Sequence, residues 1–164
     1  MWLVGRMGSV KTSTRRRAAD RLGVAFHDVD EEVAAGHGSP VPELWDTIGE
    51  GVFRELEAAV IDRMAGAHAV VSTGGAVLDP ANRDRMKGTG ALVWLQAGPE
   101  VLAARLDDGA ARPLLEDHPD RRGRIAALLE ERGQGYADAA DYEIDTSELA
   151  VEEVAMRIEE LWRP

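Results

Sequence analysis

The chain begins with a short apolar run, Met1-Trp2-Leu3-Val4, which breaks at once into Gly5-Arg6-Met7-Gly8-Ser9-Val10-Lys11-Thr12 and continues as a helix-forming stretch to Leu22. A buried strand, a glycine-containing loop and a helix in that order open a phosphate-binding α/β unit. In such a unit the glycines let backbone N–H groups wrap a polyphosphate, a Lys reaches the β/γ-phosphates and a hydroxyl ligates Mg²⁺. The segment fits the pattern G-x-x-x-x-G-K-[ST] except at Val10, which stands where the second glycine belongs. Arg outnumbers Lys 17 to 2 in this chain, so a Lys at the loop position that favours a compact, flexible point charge is informative.

Strand-like and helical patterns then alternate to the end, which predicts an α/β three-layer sandwich with a five-stranded parallel sheet. The predicted strands are Met1 to Val4, Val24 to His27, Ala69 to Ser72, Ala91 to Leu95 and Tyr142 to Ile144. Helices are predicted at Thr12 to Leu22, Glu50 to Ala65, Pro80 to Lys87, Pro99 to Leu106, Asp120 to Glu131 and Val151 to Trp162. In the second of these, Val52, Leu56, Ala59, Val60 and Met64 fall near helical spacing and predict one buried face. No repeat or linker divides the sequence, and 164 residues suit one domain, 1–164. The single break in composition is the Gly-, Pro- and Asp-rich stretch 107–120, long enough to act as a moving lid. Because open α/β sheets bind ligands beyond the carboxyl ends of their strands, function is sought in the loops there.

Composition narrows the partners. A formal charge of −11 argues against nucleic acid and anionic membranes, so the few cations must converge locally if an anionic small molecule is bound. No cysteine is present, and no apolar run approaches the roughly 20 residues of a membrane span, so a soluble, cytoplasmic protein is expected, and a monomer. The four histidines, His27, His37, His68 and His118, share no metal-ligand spacing. In Arg15-Arg16-Arg17, successive helix residues point about 100° apart, so at least two of the three are read as solvated.

At the strand ends, Asp28 and Asp30 stand two apart, and an extended segment would turn both carboxylates to one side. The alternative is a strand end whose Asp caps the next helix. Ser72-Thr73-Gly74-Gly75 follows the third strand, where paired glycines permit either close ligand approach or a plain tight turn. Arg54, Arg105, Arg112 and Arg132 are each ordinary surface cations if taken singly. Trp2, Trp94 and Trp162 read as core, and Trp45 as either pocket lining or packing.

Taken together and in register, these pieces resemble one family. Gly5-x-Met7-Gly8, Phe26-x-Asp28-x-Asp30, Gly49-Glu50-x-x-Phe53-Arg54-x-x-Glu57, Ser72-Thr73-Gly74-Gly75, Arg112-Pro113-Leu114-Leu115 and Arg132-x-x-x-Tyr136 look like shikimate kinase, over Gly5 to about Asp145. The resemblance implies the P-loop kinase fold, with a substrate-binding region at about 29–62. It further implies transfer of the γ-phosphoryl of ATP to the 3-hydroxyl of shikimate, a step of aromatic amino-acid biosynthesis, with Mg²⁺. By similarity, Gly5, Gly8, Ser9, Lys11, Thr12 and Ser13 would line the ATP phosphates, Thr12 would ligate Mg²⁺ and Asp28 would act on the metal through water. Asp30 would bind shikimate hydroxyls and orient or deprotonate the attacking one, so that Lys11, Asp30 and Arg112 form the catalytic set. Arg54 and Arg132 would grip the shikimate carboxylate, with Gly74 and Gly75 as backbone donors and Glu57 holding Arg54. Arg112 would reach the transferring phosphoryl group from the lid, and Arg105 matches the position that packs over adenine.

The sequence departs from the family pattern at four places. Val10 and Arg15 replace glycines, Gly74-Gly75-Ala76 is one glycine short of the usual three, and Gln134 replaces a proline. If residue 10 needs a positive φ, a β-branched side chain there costs about 1 to 3 kcal/mol and impedes phosphate approach. Two other readings follow: a degenerate relative that binds nucleotide or shikimate with little or no catalysis, and a kinase for another hydroxy acid, since paired arginines accept any carboxylate.

Overall fold

The computed structural model describes residues 1–5, 11–105 and 121–162; the side chains of Lys11, Thr12 and Ser13 lie outside what it describes. Five strands, β1 (Trp2–Gly5), β2 (Ala25–Asp28), β3 (Ala69–Thr73), β4 (Leu92–Gln96) and β5 (Tyr142–Asp145), form one sheet in the order β2-β3-β1-β4-β5. All four pairings are parallel, with Trp2 opposite both Val71 and Leu92, and Asp28 opposite Ser72. The helices are α1 (Lys11–Leu22), α2 (Val29–His37), α3 (Val41–Met64), α4 (Pro80–Lys87), α5 (Pro99–Arg105), α6 (Arg121–Ala139) and α7 (Val151–Leu161). A 3₁₀ turn, Gly75–Leu78, follows β3.

Strand residues alternate between the two faces, and each face has its own core. Trp2, Val4, Val71, Leu92 and Trp94 pack with Phe53, Ile61 and Met64 of α3, Met86 of α4 and Tyr136 of α6. Leu3, Val70, Val93, Leu95 and Ile144 pack on the other face with Ala18 and Ala19 of α1 and Val154, Ala155 and Ile158 of α7. The small Ala18-Ala19 pair lets α1 sit close on the sheet. Trp2 and Trp94 are core as predicted: the Trp2 indole N–H donates to Thr89 Oγ1 at 3.3 Å, and Trp94 stacks on Tyr136 with centroids 5.9 Å apart. Trp162 is half-buried, edge-on to His68.

Several local features differ from the sequence reading, among them α6, which runs past Glu131 to Ala139. Helix α2 begins directly after β2, because Asp28 accepts a hydrogen bond from the Glu31 N–H at 3.1 Å and Gly38, at φ 71°, ends the helix in the left-handed conformation. Asp28 and Asp30 are therefore a strand end and a first helical turn, as the helix-cap alternative held, not two positions of one extended segment. Helical structure before Glu50 starts at Val41 with Pro42 in its first turn, and Gly49 (φ 77°, ψ 164°) breaks the span into two segments. Finally, the buried face of the trailing segment is Phe53, Glu57, Val60, Ile61 and Met64, while Val52 is exposed. The larger Phe53 and Ile61 set that face, and the acid among them is kept there by its partners. Among the described residues no helix is long and apolar enough to cross a membrane.

Candidate active site

The carboxyl ends of β1, β2 and β3 bring together Gly5, Asp28, and Ser72 with Thr73. The hydroxyls of Thr14, Ser72 and Thr73 are buried and have no hydrogen-bond partner among the described residues, so polar capacity is concentrated at this edge. Helix α1 starts at Lys11 and directs its first backbone N–H groups there, an environment that favours anions.

Two guanidinium groups converge over the turn that follows β3. A Cβ built on Gly75 would lie 3.7 Å from Arg132 Nη1 and 3.7 Å from both Arg54 Nη1 and Nη2. Gly75 therefore floors a cradle between two cations that a single methyl group would fill. Arg54 is held from below: its Nη1 donates to Glu57 Oε2 at 2.6 Å, its Nη2 donates to Glu50 Oε1 at 3.1 Å, and its guanidinium carbon lies 5.2 Å from the Trp45 ring centroid. Trp45 also packs on Phe53 at 5.2 Å between centroids, so this one side chain serves as both packing and cradle wall.

Glu57 is 1% exposed and sits between Arg54 and Asp30. Burial pushes its carboxyl up to about 7; Arg54 pulls it back, and a hydrogen bond and charge repulsion from Asp30 raise it further. Burial works against the Arg54 cation too, but Glu57 and Glu50 outweigh it and hold its pKa above the usual value. The pair is thus asymmetric, with a secure cation beside a carboxyl close to taking a proton.

A cleft of about 630 Å³ opens between α3, the 3₁₀ turn, α4 and α6, lined by Arg54, Gly75, Asn82, Arg85, Arg132 and Gly135 among others. It reaches the arginine cradle from the α4 side, and Asp28 and Asp30 do not line it.

Arg15 was read from sequence only as one of three helix arginines and a departure from the family pattern. Arg16 and Arg17 are exposed as predicted, whereas Arg15 is 3% exposed, stacked 4.3 Å from the Phe26 ring centroid. Its Nη1 pairs with Asp28 Oδ2, and its Nη2 donates to Glu31 Oε1 at 2.7 Å. Asp28 Oδ1 accepts from the Glu31 N–H. Both oxygens of the Asp28 carboxylate, expected to act on a metal through water, thus carry a partner from this chain, and a divalent ion brought there would meet the charge that Arg15 already supplies, which suits the ion poorly. Among the described residues no group of three or more His, Cys, Asp or Glu is placed to hold one.

Arg105 ends α5 with its guanidinium on the segment after β5, donating to Thr146 Oγ1 at 3.1 Å and to the Thr146 carbonyl at 2.6 Å. The Ser147 hydroxyl and N–H hold the neighbouring Asp145 carboxyl below its usual range, with help from the Arg105 charge. Gly74 caps the 3₁₀ turn ahead of Gly75. Gly8, Ser9, Val10, Arg112 and the lid 107–120 lie outside the described residues, as do the side chains of Lys11, Thr12 and Ser13.

The family model for shikimate kinase matches residues 7–162. The chain belongs to the shikimate kinase family. It is 43% identical to the shikimate kinase of Symbiobacterium thermophilum, covering 96% of this chain and 92% of that one. The shikimate kinase of Halorhodospira halophila is 39% identical, over 98% of this chain and 91% of its own length. Among solved structures, the shikimate kinase of Acinetobacter baumannii in complex with shikimate superposes with a TM-score of 0.90 at 33% identity, covering 98% of this chain and 90% of that chain. Membership in the shikimate kinase family makes the chain a kinase, a phosphotransferase, and accounts for the five-stranded parallel sheet with its flanking helices.

Proposed function

We propose that this chain transfers the γ-phosphoryl group of ATP to the 3-hydroxyl of shikimate. The observation that carries the reading is the cradle of Arg54 and Arg132 over Gly75, joined through Glu57 to Asp30, in a member of the shikimate kinase family. Two guanidinium forks facing one gap suit a carboxylate, which each can bind with charge-assisted hydrogen bonds. Glu57 anchors Arg54 and stands beside Asp30, so one buried carboxyl fixes the distance between the group that holds the substrate carboxylate and the group that addresses its hydroxyls. Asp30 accepts the proton of the attacking hydroxyl. The oxygen then bonds to the γ-phosphorus as its bond to the β–γ bridging oxygen breaks, and ADP leaves with that electron pair.

The phosphates of ATP lie at the start of α1, beside Lys11, Thr12 and Ser13, where helix N–H groups favour anions. Arg105 fixes the segment after β5 that borders the adenine, and Arg112 meets the transferring group from 107–120. The enzyme works as a cytoplasmic monomer in aromatic amino-acid biosynthesis. A coupled assay for ADP with shikimate, millimolar ATP and Mg²⁺ tests the reading: turnover is expected, and absence of ADP above the shikimate-free rate would overturn it.

A further inference from the structure

The junction between β2 and α2 carries a buried cation of the chain's own. Arg15 reaches it from α1, flattened on Phe26 and shared between Asp28 and Glu31, with the charge of Asp30 also acting on it. A guanidinium in this position is permanently charged and cannot leave, whereas a hydrated divalent ion exchanges with solvent. Asp28 is 14% exposed, with one oxygen on Arg15 and the other on the Glu31 N–H. A second cation brought to the same carboxylate meets a neutralised partner and a like charge.

We propose that Arg15 is a positioning residue that takes over Asp28, so that a divalent metal enters this enzyme only as the counter-ion of its nucleotide and gains nothing from Asp28. This inference rests on the nucleotide site proposed above. It sets the chain apart from a site with glycine at residue 15, where Asp28 would be open to a metal-bound water.

Equilibrium binding of ADP to the full chain, measured by calorimetry from EDTA to about 10 mM Mg²⁺, tests the proposal without turnover. In the parent and in Asp28→Asn the enhancement of ADP affinity by Mg²⁺ is expected to agree within about threefold, because Asn preserves the helix cap and the metal does not use Asp28. Arg15→Gly, and Arg15→Met, which keeps an apolar stem on Phe26, are expected to raise that enhancement about tenfold or more. The gain is expected to vanish when either is combined with Asp28→Asn. Thermal melts identify any variant that fails to fold, and the parent against Asp28→Asn remains decisive alone. A parent whose Mg²⁺ enhancement falls tenfold in Asp28→Asn, or folded Arg15 variants whose enhancement does not change, overturns the inference and leaves the kinase reading standing. A parent that binds no ADP at any Mg²⁺ concentration overturns both.

Discussion

Replacing Gly75 by Ala puts a methyl group 3.7 Å from three guanidinium nitrogens of Arg54 and Arg132. That distance is ordinary van der Waals contact, and Gly75 is not among the positive-φ glycines, so the fold accepts the change. A carboxylate held as proposed would not, because its oxygens need to stand roughly 2.7–2.9 Å from those same nitrogens, in the space the methyl occupies. Loss of one charge-assisted hydrogen bond costs about 1.5–3 kcal/mol. At about 1.4 kcal/mol per decade, the KM for shikimate should rise roughly ten- to a hundredfold. Initial rates in a coupled ADP assay, with shikimate and ATP varied in turn, check this alongside a thermal melt. The KM for ATP and the melting temperature should stay near the parent values. A variant of parental stability whose KM for shikimate moves by less than about threefold would show that the substrate carboxylate does not lie between the two arginines.

Three further outcomes follow from other contacts. Burial raises the Glu57 carboxyl to about 7 from an ordinary 4.5, so the folded chain holds an extra proton between those values and loses stability as pH rises through them. Relative to Glu57→Gln, which stays neutral, the parent's unfolding free energy should fall by up to about 3 kcal/mol over that window in denaturant titrations, and parallel pH curves would contradict the assignment. Gly135→Ala would bring a Cβ to 2.7 Å from Leu78 Cδ2, forcing Leu78 to turn away from the core it packs against. Because the atom that must move is the free end of a half-buried side chain and Ala gains about 1 kcal/mol over Gly inside α6, the net change should stay within about 1 kcal/mol, and a melting temperature many degrees lower would show that Leu78 cannot give way. Arg105→Ala removes two hydrogen bonds to Thr146, whose own bonds to the Gln96 carbonyl remain, and on the proposed placement should raise the KM for ATP severalfold with little change for shikimate; the reverse pattern would disprove its placement on the nucleotide side.

The strands were legible because a parallel sheet covered on both faces needs short apolar runs, and runs such as Val70-Val71 or Leu92-Val93-Trp94-Leu95 have few other uses in a chain this polar. Helix α2 was not, since Val29 and Val33 are its only buried residues and Gly36 and Gly38 punctuate so short a span. Its real signal was the cap, Asp28 three residues before Glu31. Glu57 was legible as a partner of Arg54 by spacing, but its contact with Asp30 spans two helices and a sheet edge. Arg15 was the least legible. Spacing from Ala18, Ala19 and Leu22 puts it on the inward face of α1, but its partners Phe26, Asp28 and Glu31 are brought to it only by the fold.

The break at Gly49 divides labour within α3. Trp45 belongs to the segment before it, while Arg54 and Glu57 belong to the segment after it, whose register is fixed by Phe53, Ile61 and Met64 in the core. The two remain coupled across the bend, because the Trp45 ring lies 5.2 Å from the Arg54 guanidinium carbon and 5.2 Å from the Phe53 ring centroid. A change in the aromatic wall of the leading segment is therefore transmitted to the cation anchored in the trailing one.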